Sequence, residues 1–459
     1  MGNFITFLAA LQLLEVNMKV VVIGCTHAGT AAINNIAKLY SDAQITVYEK
    51  NDNISFLSCG IALYVGGVVK DPKGLFYSLP EKLKELGASA KMKHEVIDVN
   101  INAKTLIVKD IEGDTQFEDS FDKLIITTGS WPIIPKIEGI NLENILLSKN
   151  YDHSNKIIEK TKTAKNIVVV GAGYIGAELV EAFAQNGKKV TLIDTEDRVL
   201  SKYFDGEFTD KMEEVFRSSN ITLALGETVT KFEGNNNVVS RVITNKGSYD
   251  ADIVILSIGF KPSTALFKGK LDMLPNGAII VNEYMETSRK DIFAAGDSCA
   301  VVYNPTGKHQ YIPLATNAVR MGTLVARNLV RPTIKYMGTQ ATSGIKIYDL
   351  NCAATGLTET LAKAMDLDVK TVTVKDNHRP EFMPTYEEVL LKVVYDSKSR
   401  VVLGAQILSK ADLTQSINTL SVIIQNKMTI DELAFVDFFF QPHYNKPWNF
   451  LNMAGLAAD

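Results

Sequence analysis

Cysteine is scarce in this chain: Cys25, Cys59, Cys299 and Cys352 are scattered through 459 residues. None forms a C-x-x-C pair, which argues against a disulfide framework and against zinc or iron–sulfur ligation. Thiols spaced so widely suit a reducing cytoplasm. The six histidines show no ligand spacing, so no metal is expected. Basic clusters are missing too. Lys and Arg number 48 against 52 Asp and Glu, a net charge of -4, and nothing here supports nucleic-acid binding. No apolar run reaches the ~20 residues of a membrane-crossing helix. Phe4 to Val16 is apolar but shorter, with no Lys or Arg before it and no small-residue cleavage pattern after it. Met18 directly precedes a buried-strand pattern, so residues 1–17 read as an appendage, as from an upstream start codon.

What is present begins with Lys19-Val20-Val21-Val22-Ile23-Gly24, a continuous apolar run of the kind a doubly buried parallel strand shows. It ends in Gly24-Cys25-Thr26-His27-Ala28-Gly29, then Thr30 to Leu39 has helical periodicity. A second strand, Ile45 to Tyr48, leads to Glu49, twenty residues after Gly29. This strand–loop–helix–strand–acid unit has dinucleotide-fold spacing, with a helix N-terminus for a pyrophosphate and a carboxylate for a ribose diol. Thr26 replaces the middle glycine, which weakens this copy taken alone.

A second copy is complete. Asn166 to Val170 runs into Gly171-Ala172-Gly173-Tyr174-Ile175-Gly176, followed by a helix from Ala177 to Gln185, a strand from Lys189 to Ile193, and Asp194. An acid there favours a free 2′-hydroxyl, hence NADH, although nearby Arg198 is able to receive a 2′-phosphate. The two units lie 147 residues apart (Gly24 to Gly171) and amount to a repeated domain. Each is followed by a strand ending in glycine, Leu124 to Gly129 and Ile253 to Gly259, and then by Pro132 or Pro262. Later come Asp291 to Asp297, a short strand ending in Gly-Asp, and a helix opening at Pro313 and running to about Leu329. The remainder, from Ile334, shows strand patterns at Gly344–Leu350, Val369–Val374, Glu388–Tyr395 and Val401–Ile407, then two helices. It carries no nucleotide loop, and its aromatic-rich end, Phe438 to Tyr444, suits either a subunit interface or an ordinary core.

Between the two loops sits Ser55-Phe56-Leu57-Ser58-Cys59-Gly60. A cysteine in an apolar run is as a rule a core residue. Lying thirty residues after Gly29 and ahead of a second nucleotide loop, Cys59 instead reads as a single redox thiol able to cycle through sulfenic acid. Cys25, Cys299 and Cys352 read as small buried hydrophobes.

The order of these features resembles the pyridine nucleotide–disulfide oxidoreductases, from Met18 onward. Within that family the single-cysteine branch is most similar: flavoprotein NADH oxidases, NADH peroxidases and coenzyme A-disulfide reductases, with the Gly24–Gly29 and Ser55–Gly60 stretches most like water-forming NADH oxidases. The resemblance implies an α/β fold of two Rossmann-like (βαβ) dinucleotide-binding domains plus a C-terminal α+β dimerisation domain. FAD would occupy 18–147 and 262–331, NADH would occupy 148–261, and 332–459 would dimerise. It places Gly24, His27, Ala28 and Gly29 at the FAD pyrophosphate, Glu49 at its ribose, Thr127, Thr128 and Gly129 along the strand, and Asp297 at the ribityl chain. Leu314, Ala315 and Thr316 would run beside the flavin ring, with Lys50 and Glu178 paired near its reactive nitrogen. NADH would meet Gly171, Gly173, Tyr174, Ile175, Gly176, Asp194 and Gly259, with Tyr174 also serving as a gate that the nicotinamide displaces.

By the same resemblance Cys59 is the catalytic thiolate, O₂ the substrate and water the product, with two NADH used per O₂. His27 would assist the departing hydroxide. His443 departs from the disulfide-reductase pattern, since no cysteine pair stands beside it. A homodimer or a dimer of dimers follows, with no membrane or nucleic-acid partner. Peroxide or coenzyme A disulfide as the acceptor, and a non-catalytic flavin electron-transfer protein, remain the alternatives.

Overall fold

In the computed structural model, which describes residues 17–459, Val20, Val21 and Val22 are wholly buried at the centre of the first sheet. The expected appendage, apart from Asn17, lies outside the described residues. Strand Lys19–Ile23 pairs in parallel with Gln44–Glu49 on one side and Lys123–Ile126 on the other. Ser89–Met92 and Ile292–Ala294 complete five strands. A strand flanked on both edges and covered on both faces has no polar side, which is why its sequence reads as an unbroken apolar run. Helix His27–Leu39 packs against helix Ala315–Asn328 on one face of this sheet, along Ala28, Ala32, Ala318 and Met321.

The second sheet repeats the arrangement. Asn166–Val170 is central, between Lys189–Asp194 and Ile253–Leu256, with Ile221–Leu225 and Ile145–Leu147 at the edges. The chain has therefore entered the second sheet by Ile145, just ahead of the 147/148 division, and Ile292–Ala294 returns to the first. The two crossings run side by side as the antiparallel strands Ser130–Pro132 and Phe260–Pro262, whose prolines close each glycine-ended segment.

The third unit holds five antiparallel strands, more than the sequence pattern indicates. Where Gly344 to Leu350 reads as one strand, Ser343–Ile347 turns back at Tyr348 (φ +50°) into Leu350–Gly356. The small residues Cys352 to Thr355 show no alternation, so that strand leaves little trace in the sequence. Beyond it lie Val402–Ser409, Glu388–Asp396 and Val369–Asn377, with helix Ser416–Gln425 packed through Ile417, Leu420 and Ile424.

A buried charge cluster ties this unit to the second. Lys392, 5% exposed, reaches Asp205 at 3.2 Å, Glu207 at 2.7 Å and Glu359 at 2.6 Å. Asp205 also accepts hydrogen bonds from Gln406 Nε2 and from the N–H groups of Glu359 and Thr360. Among the described residues no helix is long and apolar enough to cross a membrane.

Candidate active site

The two glycine loops are built alike, bond for bond. Gly24 N–H donates to Tyr48 O and Gly171 N–H to Ile193 O, at 2.9 and 2.8 Å. The next N–H, of Cys25 or Ala172, donates to the carboxylate that ends the second strand, Glu49 or Asp194. The hydroxyl of Thr127 bonds Ile23 O and Gly24 O, as that of Ser257 bonds Val170 O and Gly171 O. Gly24 has φ +88°, and a Cβ there would sit 2.6 Å from Thr127 O, so only glycine lets the loop lie this close to the neighbouring strand. Gly29 and Gly176 lie off the cavity wall: each allows its helix to pass Gly24 O or Gly171 O, where a Cβ would come within 2.3 or 1.8 Å.

Helices His27–Leu39 and Tyr174–Gln185 both start without a side-chain cap and without an acid in the first turn. Their leading N–H groups are thus left to an external anion, favoured further by the positive end of the helix dipole. Tyr151–Thr161 and Ile430–Leu433 are capped instead, by Asn150 and by the Thr429–Glu432 capping box, whereas Ala315–Asn328 and Ser416–Gln425 also start uncapped.

One cavity of about 980 Å³ runs from the first loop to the second. Three buried polar atoms on its wall, His27 Nε2, Thr128 Oγ1 and Ser148 Oγ, have no partner within the protein. Buried donors and acceptors are rarely left this way, so a polar ligand is the natural partner. Cys59 lies on the same wall, exposed, at the start of a short helical segment that continues into Ile61–Val65. Cys25, Cys299 and Cys352 are buried and free, in line with their sequence reading.

The electrostatics around Cys59 are acidic. Burial pushes its thiol up, Glu178 and Asp297 add to this, and Lys149 opposes them. Glu178 is itself raised to about 7, first by burial and then by Glu181. The expected Lys50–Glu178 pair does not form. Lys50 Nζ instead sits 5.0 Å from the centre of the Trp131 ring, and a cation over an indole face is held there without a carboxylate. Asp297 accepts from Ser130 Oγ at 2.7 Å, with Lys149 Nζ 3.5 Å away. His27 stacks on Tyr77, with Nδ1 2.9 Å from the phenol oxygen. Burial lowers its pKa, Asp297 works against this and Lys149 with it, so the imidazole is neutral at neutral pH.

Most residues picked out from the sequence line the cavity: Gly24, His27, Ala28, Glu49, Lys50 and Cys59 from the first half, with Thr127, Thr128, Gly129, Asp297, Leu314 and Ala315. Gly171, Gly173, Tyr174, Ile175, Glu178, Asp194 and Gly259 line it from the second unit. Thr316 does not. It follows Ala315 on the first turn of its helix, rotated to the exposed side. Thr127 reaches the wall, but its hydroxyl is committed to the two backbone carbonyls.

Sequence reasoning missed Lys149, Ser130, Tyr77, Tyr203 and Ser343, all on the wall or bonded to a residue that is. The two serines and Lys149 carry no motif. Nor does Tyr77.

A family model described as pyridine nucleotide-disulphide oxidoreductase matches residues 18–322, and the model of that family's dimerisation domain matches residues 342–449. The chain is 56% identical to an NADH oxidase of Enterococcus faecalis over 442 residues, 96% of this chain and 99% of that protein. It is 34% identical to a CoA-dependent NAD(P)H sulfur oxidoreductase of Pyrococcus furiosus, over 94% and 97% of the two chains. The solved structure of a water-forming NADH oxidase from Lactobacillus brevis bound to NADH matches with a TM-score of 0.95 at 55% identity, covering 96% of this chain and 98% of that one. The chain belongs to the pyridine nucleotide-disulphide oxidoreductase family.

Proposed function

We propose that this protein is an FAD-dependent NADH oxidase that reduces O₂ to water, with Cys59 alternating between thiolate and sulfenic acid. The observation that carries this reading is the single cavity joining two uncapped glycine loops, with one exposed thiol on its wall. The first loop suits FAD: free N–H groups at His27–Leu39 face a pyrophosphate, Glu49 is placed for a ribose, and His27, Thr128 and Ser148 have polar atoms awaiting a ligand. Held there, FAD would supply the hydride acceptor for NADH and the two-electron donor for O₂.

The chain's own residues then bind, orient and protonate. The Gly171 loop receives the NADH pyrophosphate, and Asp194 accepts hydrogen bonds from the adenosine ribose. Arg198 is occupied elsewhere: its guanidinium is paired with Asp210 and lies 3.1 Å from Thr209 Oγ1, which leaves a 2′-phosphate without its usual partner. Replacing Asp194 by serine is expected to lower kcat/KM for NADH by roughly 10- to 100-fold, the worth of a hydrogen bond to a charged acceptor, read from steady-state kinetics. An unchanged kcat/KM would remove Asp194 from the site.

At Cys59, the thiolate attacks one oxygen of hydrogen peroxide, the first two-electron product. The O–O bond breaks, sulfur is oxidised to sulfenic acid, and the departing hydroxide takes a proton to leave as water. His27, whose Nδ1 lies 2.9 Å from the Tyr77 hydroxyl, is the residue we assign to give that hydroxide its proton. Two electrons and two protons from a second NADH and solvent return the sulfenic acid to thiol and release the second water.

The C-terminal dimerisation domain exposes Phe435, Phe439, Tyr444 and Trp448, which two copies cover in a homodimer or a dimer of dimers. Four free thiols accord with a cytoplasmic location. The purified yellow protein tests the reading by its electron acceptor: NADH is oxidised with O₂ alone. NADH oxidation that starts only on adding peroxide or coenzyme A disulfide would overturn it.

A further inference from the structure

Tyr174 is held from two sides by contacts that the proposed reaction does not use. Its hydroxyl shares a 2.8 Å hydrogen bond with Ser343 Oγ, the first residue of the third unit's sheet and 169 positions away in sequence. Its ring packs on Tyr203 with centroids 4.3 Å apart. Both tyrosines and Ser343 line the cavity. Tyr203 is anchored in the same direction, because Asp205, two residues on, is gripped by Gln406, Thr360 and Lys392 of the third unit. The aromatic pair beside the NADH loop is thus fastened to the C-terminal domain at both members, while Tyr174 itself opens the helix of that loop.

We propose that Ser343 is a positioning residue: it latches Tyr174 across the cavity, so that nicotinamide binding must break the latch. This rests on the reading above, in which a dinucleotide on the Gly171 loop reaches towards Cys59 past the Tyr174 ring. The hydroxyl bond is the removable part of the hold, since Tyr203 and the backbone of the loop stay in place without it. The C-terminal domain then sets the affinity of the nicotinamide without touching it.

Binding of NAD⁺ to the holoenzyme, followed by calorimetry, separates the possibilities because no turnover occurs. Ser343→Ala is expected to tighten NAD⁺ by about two- to ten-fold, the range of one neutral hydrogen bond. In steady state the KM for NADH falls with kcat little changed. Ser343→Thr, which keeps the hydroxyl, restores the wild-type values. Tyr174→Phe removes the same bond from the other side, and in that background Ser343→Ala changes nothing. Unchanged or weaker NAD⁺ binding by Ser343→Ala would overturn the latch, as would an effect that persists with Tyr174→Phe. Failure of the wild type to bind NAD⁺ would instead overturn the functional reading on which the latch rests.

Discussion

Cys59→Ser is expected to change the reaction from two NADH per O₂ to one, with one hydrogen peroxide released per O₂. The serine hydroxyl is close in size but cannot be oxidised to the level of a sulfenic acid, so the second two-electron step has no acceptor on the protein. Cys25, Cys299 and Cys352 cannot substitute. They are buried, and burial raises all three thiols to about 12 or beyond, far from a reactive thiolate. Cys59 is raised as well, but it is the exposed one, and Lys149 gives it a cation to offset Glu178 and Asp297. The variant should retain NADH oxidation and its yellow colour, because Cys59 contributes to neither glycine loop. Peroxide measured by a coupled peroxidase assay decides the matter. Continued water formation by Cys59→Ser would remove the thiol from the mechanism.

The second large effect concerns stability. Lys392→Met should destabilise the protein by about 3–5 kcal/mol, the cost of leaving the buried Asp205 carboxylate without its cation. Asp205 is 3% exposed at its side chain and has nowhere to find water in place of the ammonium. Burial alone would raise the Asp205 carboxyl, but hydrogen bonds from Gln406, Thr360 and Glu359 outweigh it and hold the group below its ordinary value. Glu359 is also lowered, by Lys363 and then Lys392, while Lys392 itself is raised by Glu207 and Glu359 against its own burial.

Depressed carboxylates contribute stability above their unfolded values and lose it as pH falls through the folded ones. The raised lysine contributes below its unfolded value and loses that contribution as pH rises through the folded one. The cluster therefore works at full strength between the carboxylate and lysine ranges. The difference in Tm between wild type and Lys392→Met should be largest near neutral pH and shrink on strong acidification. An equal Tm for the two proteins at pH 7 would mean that the second and third units are held together by other contacts.

The parts of this molecule that the sequence reveals are those where backbone chemistry restricts the residue. Gly24 and Gly171 stand where a side chain would strike the neighbouring strand, and Glu49 and Asp194 stand where a strand end takes the N–H of the glycine loop. Such constraints fall at short, regular spacings and need no knowledge of the rest of the chain. Ser343 and Lys149 reach the site from segments with no local pattern, and their partners Tyr174 and Asp297 lie 169 and 148 residues away. A contact that exists only after folding leaves no spacing to read.

The Lys50–Glu178 pair failed for the related reason that Trp131, distant in sequence, offers Lys50 another partner. Thr127 and Ser257 show the same limit in milder form. Their positions two residues before the closing glycine of each segment are visible in the sequence, but their work on Gly24 O and Gly171 O emerges only when the two loops are laid side by side.

The most direct test of the account is the stoichiometry of the wild-type holoenzyme, with NADH followed by absorbance, O₂ by electrode and peroxide by coupled assay in one vessel. Two NADH consumed per O₂, with no peroxide released, are expected. One NADH per O₂, with peroxide accumulating in step, would contradict it.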